Sequence, residues 1–210
     1  MRKFLSVGIV AVGVVLAAAV HGGPAAAAMA DTAEALSDKV LGNKDAPVTI
    51  QAYESLTCPH CAAFEKETLP EIKKAYIDTG KVKLVYNDFP LDGRAMLASM
   101  VARCTGNARF FAMVQILFGT QETWAHASTP EAFLVALNQI ARQGGLTDQE
   151  FTACTKNEAL FNGIRERQEN ADKKLDVNST PTFIIGDKRI VGSQPFAEFK
   201  KIIDPMLPKQ

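Results

Sequence analysis

The heptapeptide SLTCPHC at residues 55–61 constrains the fold of this chain more than any other feature. The residues before its cysteines, 47–53 (PVTIQAY), form an apolar run that predicts a buried strand, and a helical pattern begins directly after them. Cys58 is then expected at the N-cap of the helix, with Pro59 at the first helical position, where its missing N–H costs nothing. The motif therefore predicts a strand, a short loop and a helix that starts with both cysteines.

This position favours the thiolate form of Cys58. The free N–H groups of a helix start carry partial positive charge, and His60 can add a hydrogen bond or a positive charge. Both effects lower the pKa of a thiol. Because a thiol with a low pKa is a good leaving group, a Cys58–Cys61 disulfide is expected to be easily reduced and hence oxidising. Cys61 lies inside the first turn and is expected to be the buried, resolving thiol.

Two other roles are possible for a CxxC pair. Half of a zinc site is one, but zinc needs further ligands at similar spacing, and the chain has no second CxxC; His21 and His126 stand alone. An inert structural disulfide is the other, and a CPHC sequence at a helix start directly after a strand argues against it. We therefore predict a redox site that contains no metal and needs no bound cofactor.

The charge balance argues against a nucleic-acid partner. Lys and Arg total 23, as do Asp and Glu, so the net charge is zero and no basic face is indicated for nucleic acid or acidic lipid. Hydrophobic residues make up 47% of the chain, which is enough for a substantial core.

The N-terminus has the pattern of an export signal. Arg2 and Lys3 precede an apolar segment, residues 4–20, and Ala28-Met29-Ala30 fits the small-x-small cleavage rule. We predict a signal peptide over residues 1–30 and a bacterial periplasmic destination, where disulfides persist. An uncleaved membrane anchor is the alternative, although the apolar run is marginal against the roughly 20 residues that a spanning helix needs.

Hydrophobic periodicity divides the rest of the chain into three parts. Strands are predicted at 48–53 and 81–86, on either side of a helix from the CPHC motif to about residue 78 with a kink at Leu69-Pro70. Helices are then predicted at about 94–104, 108–121, 130–142, 148–155 and 158–174. A hairpin (182–185 and 188–191) and a final helix from Pro195 follow. Residues 31–45 are polar, and no element is predicted there.

A β-α-β half (31–91) and a β-β-α half (175–210) are thus separated by some eighty helical residues (92–174). A parallel crossover needs only a dozen or more residues. The excess is predicted to be an inserted α-helical subdomain.

The CPHC motif, the helical insertion and the sequence Ser-Thr-Pro-Thr-Phe at 179–183 together resemble the DsbA-like thiol–disulfide oxidoreductases. The resemblance covers nearly all of the chain after the export signal. It implies an α/β thioredoxin fold interrupted by the helical subdomain, and a cis Thr180–Pro181 peptide that faces the CPHC pair and leaves the Thr180 backbone free to bind an extended substrate. An ordinary trans-proline turn is the alternative.

Two positions depart from the family pattern. Members often carry a buried acid six residues before the first cysteine, which is thought to move protons for the buried thiol; that position is Ala52 here. Glu54 lies on the same strand face and is a possible substitute, but we expect it to be a solvated loop charge. Thr180 stands where strong oxidases of the family carry valine, and threonine also occurs in related isomerases.

The remaining cysteines, Cys104 and Cys154, lie in the predicted insertion. Four cysteines allow three pairings, and CPHC must close on itself to function, which leaves a structural Cys104–Cys154 disulfide. Two buried free thiols, or a second redox-active pair, are the alternatives. The aromatic residues of this segment are expected to form its core: Phe110, Phe111, Phe118, Trp124 and Phe133.

The predicted activity is that of a periplasmic thiol–disulfide oxidoreductase that oxidises reduced exported polypeptides. The catalytic residues are expected to be Cys58, Pro59, His60 and Cys61, with Thr180 and Pro181 binding substrate. The resemblance implies a monomer that a membrane quinone-linked oxidase reoxidises. A disulfide isomerase or thiol reductant is the nearest alternative, and a metal or unfolded-chain binding module is more remote.

Overall fold

The structure is a computed structural model that describes residues 29–208. Its centre is a five-stranded mixed sheet in the order β1-β3-β2-β4-β5, whose only parallel neighbours are β2 and β3. The strands are β1 (Lys39–Leu41), β2 (Val48–Glu54), β3 (Val82–Asp88), β4 (Thr182–Ile185) and β5 (Lys188–Val191). The predicted signal segment lies outside the described residues except for Met29 and Ala30. Ala30 donates its backbone N–H to the carbonyl of Cys104, at 2.9 Å.

The helix that starts at the CPHC motif is continuous but irregular. We call it α2; it consists of α-helical turns at Pro59–Ala63 and Leu69–Ile72, alternating with π-helical turns at Phe64–Thr68 and Lys73–Ile77. The first wide turn comes immediately before Pro70, whose missing N–H removes one bond from the regular ladder. The parallel strands β2 and β3 flank α2 in the chain, as the sequence predicts.

Between β3 and β4 the chain is entirely helical. The helices are α3 (Gly93–Cys104), α4 (Phe110–Gly119), α5 (Gln121–Trp124), α6 (Pro130–Gln143), α7 (Asp148–Thr155) and α8 (Glu158–Leu175). These bounds agree with the predicted helices, except that the second predicted helix is two, α4 and α5. The aromatic side chains of Phe110, Phe118, Trp124 and Phe133 are buried, which confirms their assignment to the core.

The chain returns to the sheet in the β4–β5 hairpin and ends with α9 (Phe196–Ile203) and a short 3₁₀ turn (Asp204–Met206). Gly186 has a φ of 60° in the hairpin turn, a conformation that glycine adopts without a steric penalty. Phe199 of α9 packs on Phe183 of β4 and on Phe64 of α2, with ring centroids 5.0 and 5.6 Å apart. This aromatic cluster fixes α2 against the sheet.

The polar segment 31–45 does contain secondary structure. It forms a short helix α1 (Thr32–Leu36) and strand β1, which pairs antiparallel with β3. Lys39 of β1 is 1% exposed. A strand of three residues that buries a lysine has no alternating hydrophobic pattern by which the sequence could predict it. Its pairing with β3, rather than its own sequence, determines that this segment is a strand. No helix within residues 29–208 is long and apolar enough to span a membrane.

Candidate active site

Cys58 lies at the junction of β2 and α2. Its backbone is extended (φ −81°, ψ 121°), Pro59 occupies the first helical position, and the Cys58 carbonyl accepts the N–H of Cys61 at 3.1 Å. Both thiols are free in this structure; Cys58 is 5% exposed and Cys61 is fully buried. The helix start therefore presents Cys58 near the surface and holds Cys61 behind it.

The surroundings of Cys58 stabilise its thiolate. A hydrogen bond from the Cys61 thiol, helped by the Thr180 side chain and by the backbone N–H groups of Cys61 and His60, lowers the Cys58 pKa to about 5, although burial opposes this. Cys58 is therefore mainly a thiolate at neutral pH. The His60 imidazole is exposed, and the contribution of this residue to the Cys58 pKa comes from its backbone.

Thr180 and Pro181 lie against Cys58, although they are more than 120 residues away in the chain. The peptide bond between them is cis, and the Thr180 carbonyl oxygen is 3.4 Å from Cys58 Sγ. A protonated Cys58 donates to this carbonyl. The buried Thr180 hydroxyl has no hydrogen-bond partner and is available to donate to the thiolate. The Thr180 backbone thus lies directly beside the reactive sulfur, and its hydroxyl is a further donor for the thiolate.

Cys61 has the opposite electrostatics. Burial raises its pKa far above the usual range, and the hydrogen bond to Cys58 and the nearby Glu54 carboxyl act in the same direction. The two sulfurs of one motif therefore differ in protonation at neutral pH. This asymmetry favours Cys58 over Cys61 as a nucleophile, because a thiolate reacts and a protonated thiol does not.

The expectation that Glu54 is a solvated loop charge is wrong. Glu54 is the last residue of β2, is fully buried, and neither of its carboxylate oxygens has a hydrogen-bond partner. Burial raises its pKa well above the ordinary value, and the neighbouring Glu65, Cys58 and Asp88 raise it further. Glu54 is paired in register with Asp88 of β3. Its burial is therefore due to elements that are distant in the chain and not to its sequence neighbours.

A second carboxyl that the sequence did not single out lies nearby. Glu65, in the first π-helical turn of α2, has a pKa raised to about 7 by burial. It lines a cavity of about 560 Å³ between α2 and the helices α4 and α5, together with Phe118 and Glu122. Glu65 thus lies between the buried Glu54 and a space that is open to solvent. Glu65 lies seven residues after Cys58, about two helical turns along α2, and this spacing could have indicated it in the sequence. Only its burial distinguishes it from the exposed Glu67.

Cys104 and Cys154 form a disulfide, with an S–S distance of 2.08 Å. It joins the last residue of α3 to α7, and both cysteines are almost fully buried. Among residues 29–208 no group of three or more His, Cys, Asp and Glu side chains is placed to hold a metal ion.

Comparison with known proteins agrees with this geometry. The family model described as thioredoxin matches residues 34–205, and its span includes both cysteine pairs and the cis proline. The chain belongs to the thioredoxin family.

Similar proteins include two whose names refer to disulfide chemistry. A protein named as a protein-disulfide oxidoreductase in Rickettsia conorii is 29% identical over 175 residues, and disulfide bond formation protein D of Bacillus subtilis is 27% identical over 176. The match covers 83% and 80% of this chain, and 62% and 76% of those relatives. The chain therefore spans less than two thirds of the length of the Rickettsia protein.

Among solved structures, alpha-DsbA1 of Wolbachia pipientis superimposes with a TM-score of 0.73 at 29% identity. The superposition covers 81% of this chain and 90% of that one. The resemblance to the DsbA-like group is confirmed, as is the α/β thioredoxin fold interrupted by helices.

Proposed function

We propose that this protein is a thiol–disulfide oxidoreductase that donates the Cys58–Cys61 disulfide to reduced exported polypeptides. The observation that carries the proposal is the asymmetry of the pair, in which the Cys58 pKa is lowered to about 5 and the pKa of the buried Cys61 is raised. A thiolate that is stable in the reduced enzyme is a good leaving group, and the disulfide that releases it is oxidising.

The reaction begins with the oxidised enzyme. A substrate thiolate attacks Cys58 Sγ, the Cys58–Cys61 bond breaks, and Cys61 leaves with the electron pair. A second substrate thiolate then attacks the substrate sulfur of this mixed disulfide and expels Cys58 as a thiolate. The substrate gains a disulfide and loses two electrons and two protons, and the enzyme gains two electrons. Pro59 and His60 contribute by placing the helix start, and its N–H groups, against Cys58.

Cys61 needs a proton source in the first step, since its thiolate is strongly disfavoured in the buried site. We assign this role to Glu54, because its burial raises its pKa well above the ordinary value of a carboxyl and favours the protonated form, and because neither of its oxygens has a competing hydrogen bond. Glu65, with a pKa of about 7, is suited to return the proton to Glu54 from the adjoining cavity. When the enzyme is reoxidised the relay runs in reverse: Glu54 passes its proton to Glu65, which releases it to the cavity, and Glu54 then accepts the proton of Cys61.

Substrate binding is assigned to the cis-proline loop. The Thr180 backbone lies beside Cys58, so an extended peptide that pairs with it brings its cysteine to the sulfur. The β4–β5 hairpin braces this loop, because Gly192 donates its N–H to the Pro181 carbonyl at 2.8 Å. Thr180 also motivates the second candidate function, a disulfide isomerase or reductant, because threonine at the position before the cis proline also occurs in related isomerases, as the resemblance implies.

The cellular setting is also part of the proposal. We propose a signal peptide at residues 1–30, action in the periplasm, and reoxidation of a monomer by a membrane quinone-linked oxidase. We further propose thioredoxin-fold parts at 31–91 and 175–210 with the helical insertion at 92–174. The disulfide between Cys104 and Cys154 inside that insertion fits an oxidising compartment.

The test is the redox equilibrium of the Cys58–Cys61 pair against glutathione, together with oxidative refolding of a reduced, unfolded polypeptide by the oxidised enzyme in stoichiometric amounts. An oxidase should transfer its disulfide to the polypeptide rapidly and equilibrate well above the glutathione potential. A pair that equilibrates below glutathione, and that reduces or rearranges disulfides without forming them, would favour the isomerase or reductant.

A further inference from the structure

One side chain of the helical insertion reaches the redox loop. Gln121 is the first residue of α5 and is 3% exposed. Its Nε2 donates to the carbonyl oxygens of Leu56 and Cys58, at 2.7 and 3.1 Å. These two carbonyls belong to the turn that connects β2 to α2, so a single amide holds this turn from outside the sheet.

Gln121 is itself held rigidly. Trp124, three residues later in the same short helix, is fully buried and donates its indole N–H to the Leu117 carbonyl at 2.8 Å. Its ring packs on Phe133 of α6, with centroids 6.1 Å apart. The position of the Gln121 amide is therefore determined by the core of the helical insertion and not by the loop that it contacts.

The contact with the Cys58 carbonyl affects the start of α2. The same carbonyl accepts the N–H groups of Cys61 and Ala62, at 3.1 and 3.2 Å, so the Gln121 amide is a third donor at the N-cap. It holds the Cys58–Pro59 peptide group, which leads directly into the peptides of His60 and Cys61, whose N–H groups act on the Cys58 sulfur. It also offsets the negative end of two carbonyl dipoles in a buried site, where such dipoles act strongly on a nearby anion.

We infer that Gln121 is a positioning residue for the Cys58 thiolate, through which the helical insertion sets the reactivity of the redox pair. This inference rests on the proposed function and adds to it a role for the insertion in the chemistry. It predicts that loss of the amide donor raises the Cys58 pKa, although both cysteines, the cis proline and the buried carboxyls remain in place.

The test compares two substitutions in the full chain. Gln121→Met keeps the length of the side chain and removes the donor. Gln168→Met is the matched control, because the Gln168 Nε2 also donates to a backbone carbonyl, that of Pro90 at 3.0 Å, outside the redox turn. Titration of the ultraviolet absorbance of the thiolate gives the Cys58 pKa, and the rate of alkylation at fixed pH checks it.

We expect Gln121→Met to raise the Cys58 pKa by about one unit. At any given pH, the ratio of thiolate to thiol is then about tenfold lower than in the wild type. The control should leave the pKa within about 0.3 units, even if both variants lose similar thermal stability. If Gln121→Met does not fold, Gln121→Asn is measured instead; it stays neutral and keeps the amide, but its shorter side chain cannot reach both carbonyls, so the pKa should rise by a similar amount.

A foldable variant whose Cys58 pKa moves no more than that of the control would overturn the inference and leave the proposed function intact. A wild-type Cys58 pKa close to that of a free thiol would instead contradict the proposed function. The two failures are therefore distinguished by the wild-type titration alone.

Discussion

The two cysteine pairs of this protein differ in their surroundings and not in their burial. All four cysteines are 5% exposed or less. Cys58 is surrounded by donors, namely the Cys61 thiol, the Thr180 side chain and backbone N–H groups. Cys154 Sγ instead lies 3.2 Å from an acceptor, the carbonyl oxygen of Met100. The surroundings of Cys58 thus stabilise a thiolate, whereas the sulfurs of Cys104 and Cys154 are joined in a disulfide inside the helical insertion.

The two pairs also differ in how far apart their cysteines lie in the chain. Cys58 and Cys61 share one helical turn, so their bond hardly restricts the unfolded chain. Cys104 and Cys154 are 50 residues apart and join α3 to α7. Closing a loop of that length stabilises a fold by restricting its unfolded state. The comparison teaches that one pair is built for exchange and the other for stability.

The largest effect is expected from breaking the exchange pair one sulfur at a time. Cys61→Ser leaves the nucleophile but removes the resolving thiol, so mixed disulfides with substrate should accumulate through Cys58, while Cys58→Ser should abolish disulfide transfer. Non-reducing electrophoresis after incubation with a reduced polypeptide measures both. Equal trapping by the two variants would mean that Cys58 is not the preferred nucleophile.

Removing the second pair should affect stability instead. The double variant Cys104→Ala, Cys154→Ala is expected to lose about 4 kcal/mol of unfolding free energy, as the chain-entropy model gives for a loop of this length. Denaturant unfolding measures it, and the Cys58 pKa should stay within about 0.3 units. A change in the potential of the Cys58–Cys61 pair of more than about 30 mV would show that the two pairs are coupled.

The redox state of Cys58–Cys61 should also change stability, in the opposite direction to a structural disulfide. A pKa of about 5 in the folded reduced protein, against about 8.5 in the unfolded chain, favours the reduced form by about 3 kcal/mol at pH 7. Because the folded pKa is depressed, this stabilisation is fully present above about pH 8.5 and is lost as the pH falls through about 5. Denaturant unfolding of both redox forms across this range tests it, and a more stable oxidised form at pH 7 would favour the reductant or isomerase.

Glu54→Gln tests the proton donor. The carboxyl is buried and its pKa is raised, so the wild type should lose stability relative to the variant as the pH rises from the unfolded value of about 4.5 towards the folded one. The variant should therefore be the more stable protein at neutral pH. Transfer of its disulfide is expected to slow by roughly 10²-fold, the lower end of the range for general acid–base catalysis. Stopped-flow rates that match the wild type at every pH would exclude this role for Glu54.

Thr180→Val should give the smallest change. It keeps the backbone beside Cys58 and removes only the hydroxyl that has no other partner. Loss of one donor is expected to raise the Cys58 pKa by about half a unit, consistent with the net contribution of one hydrogen bond. Thiolate titration measures it, with Thr182→Val as the control, because the Thr182 hydroxyl donates instead to the Ser179 carbonyl. A Cys58 pKa that is unchanged or lowered would show that the Thr180 hydroxyl does not stabilise the thiolate.

Much of this molecule follows from local sequence patterns. An apolar run before CPHC determined β2 and the helix start, since strand alternation, the N-cap and a proline at the first helical position involve only near neighbours. The helices from α3 to α8 follow from periodicity and capping; Thr147 and Glu150, for example, form the capping box at the start of α7. The asymmetry of Cys58 and Cys61 follows from the same local geometry.

Tertiary structure alone decided which distant groups surround those sulfurs. The local sequence pattern predicts a solvated charge at Glu54, but α2 and β3 cover this side chain and raise its pKa well above the ordinary value. Nothing near Gln121 in the sequence indicates that its amide reaches Leu56 and Cys58. The physical reason is that desolvation and hydrogen bonding across a core depend on what packs from the other side, and that partner lies many residues away in the chain.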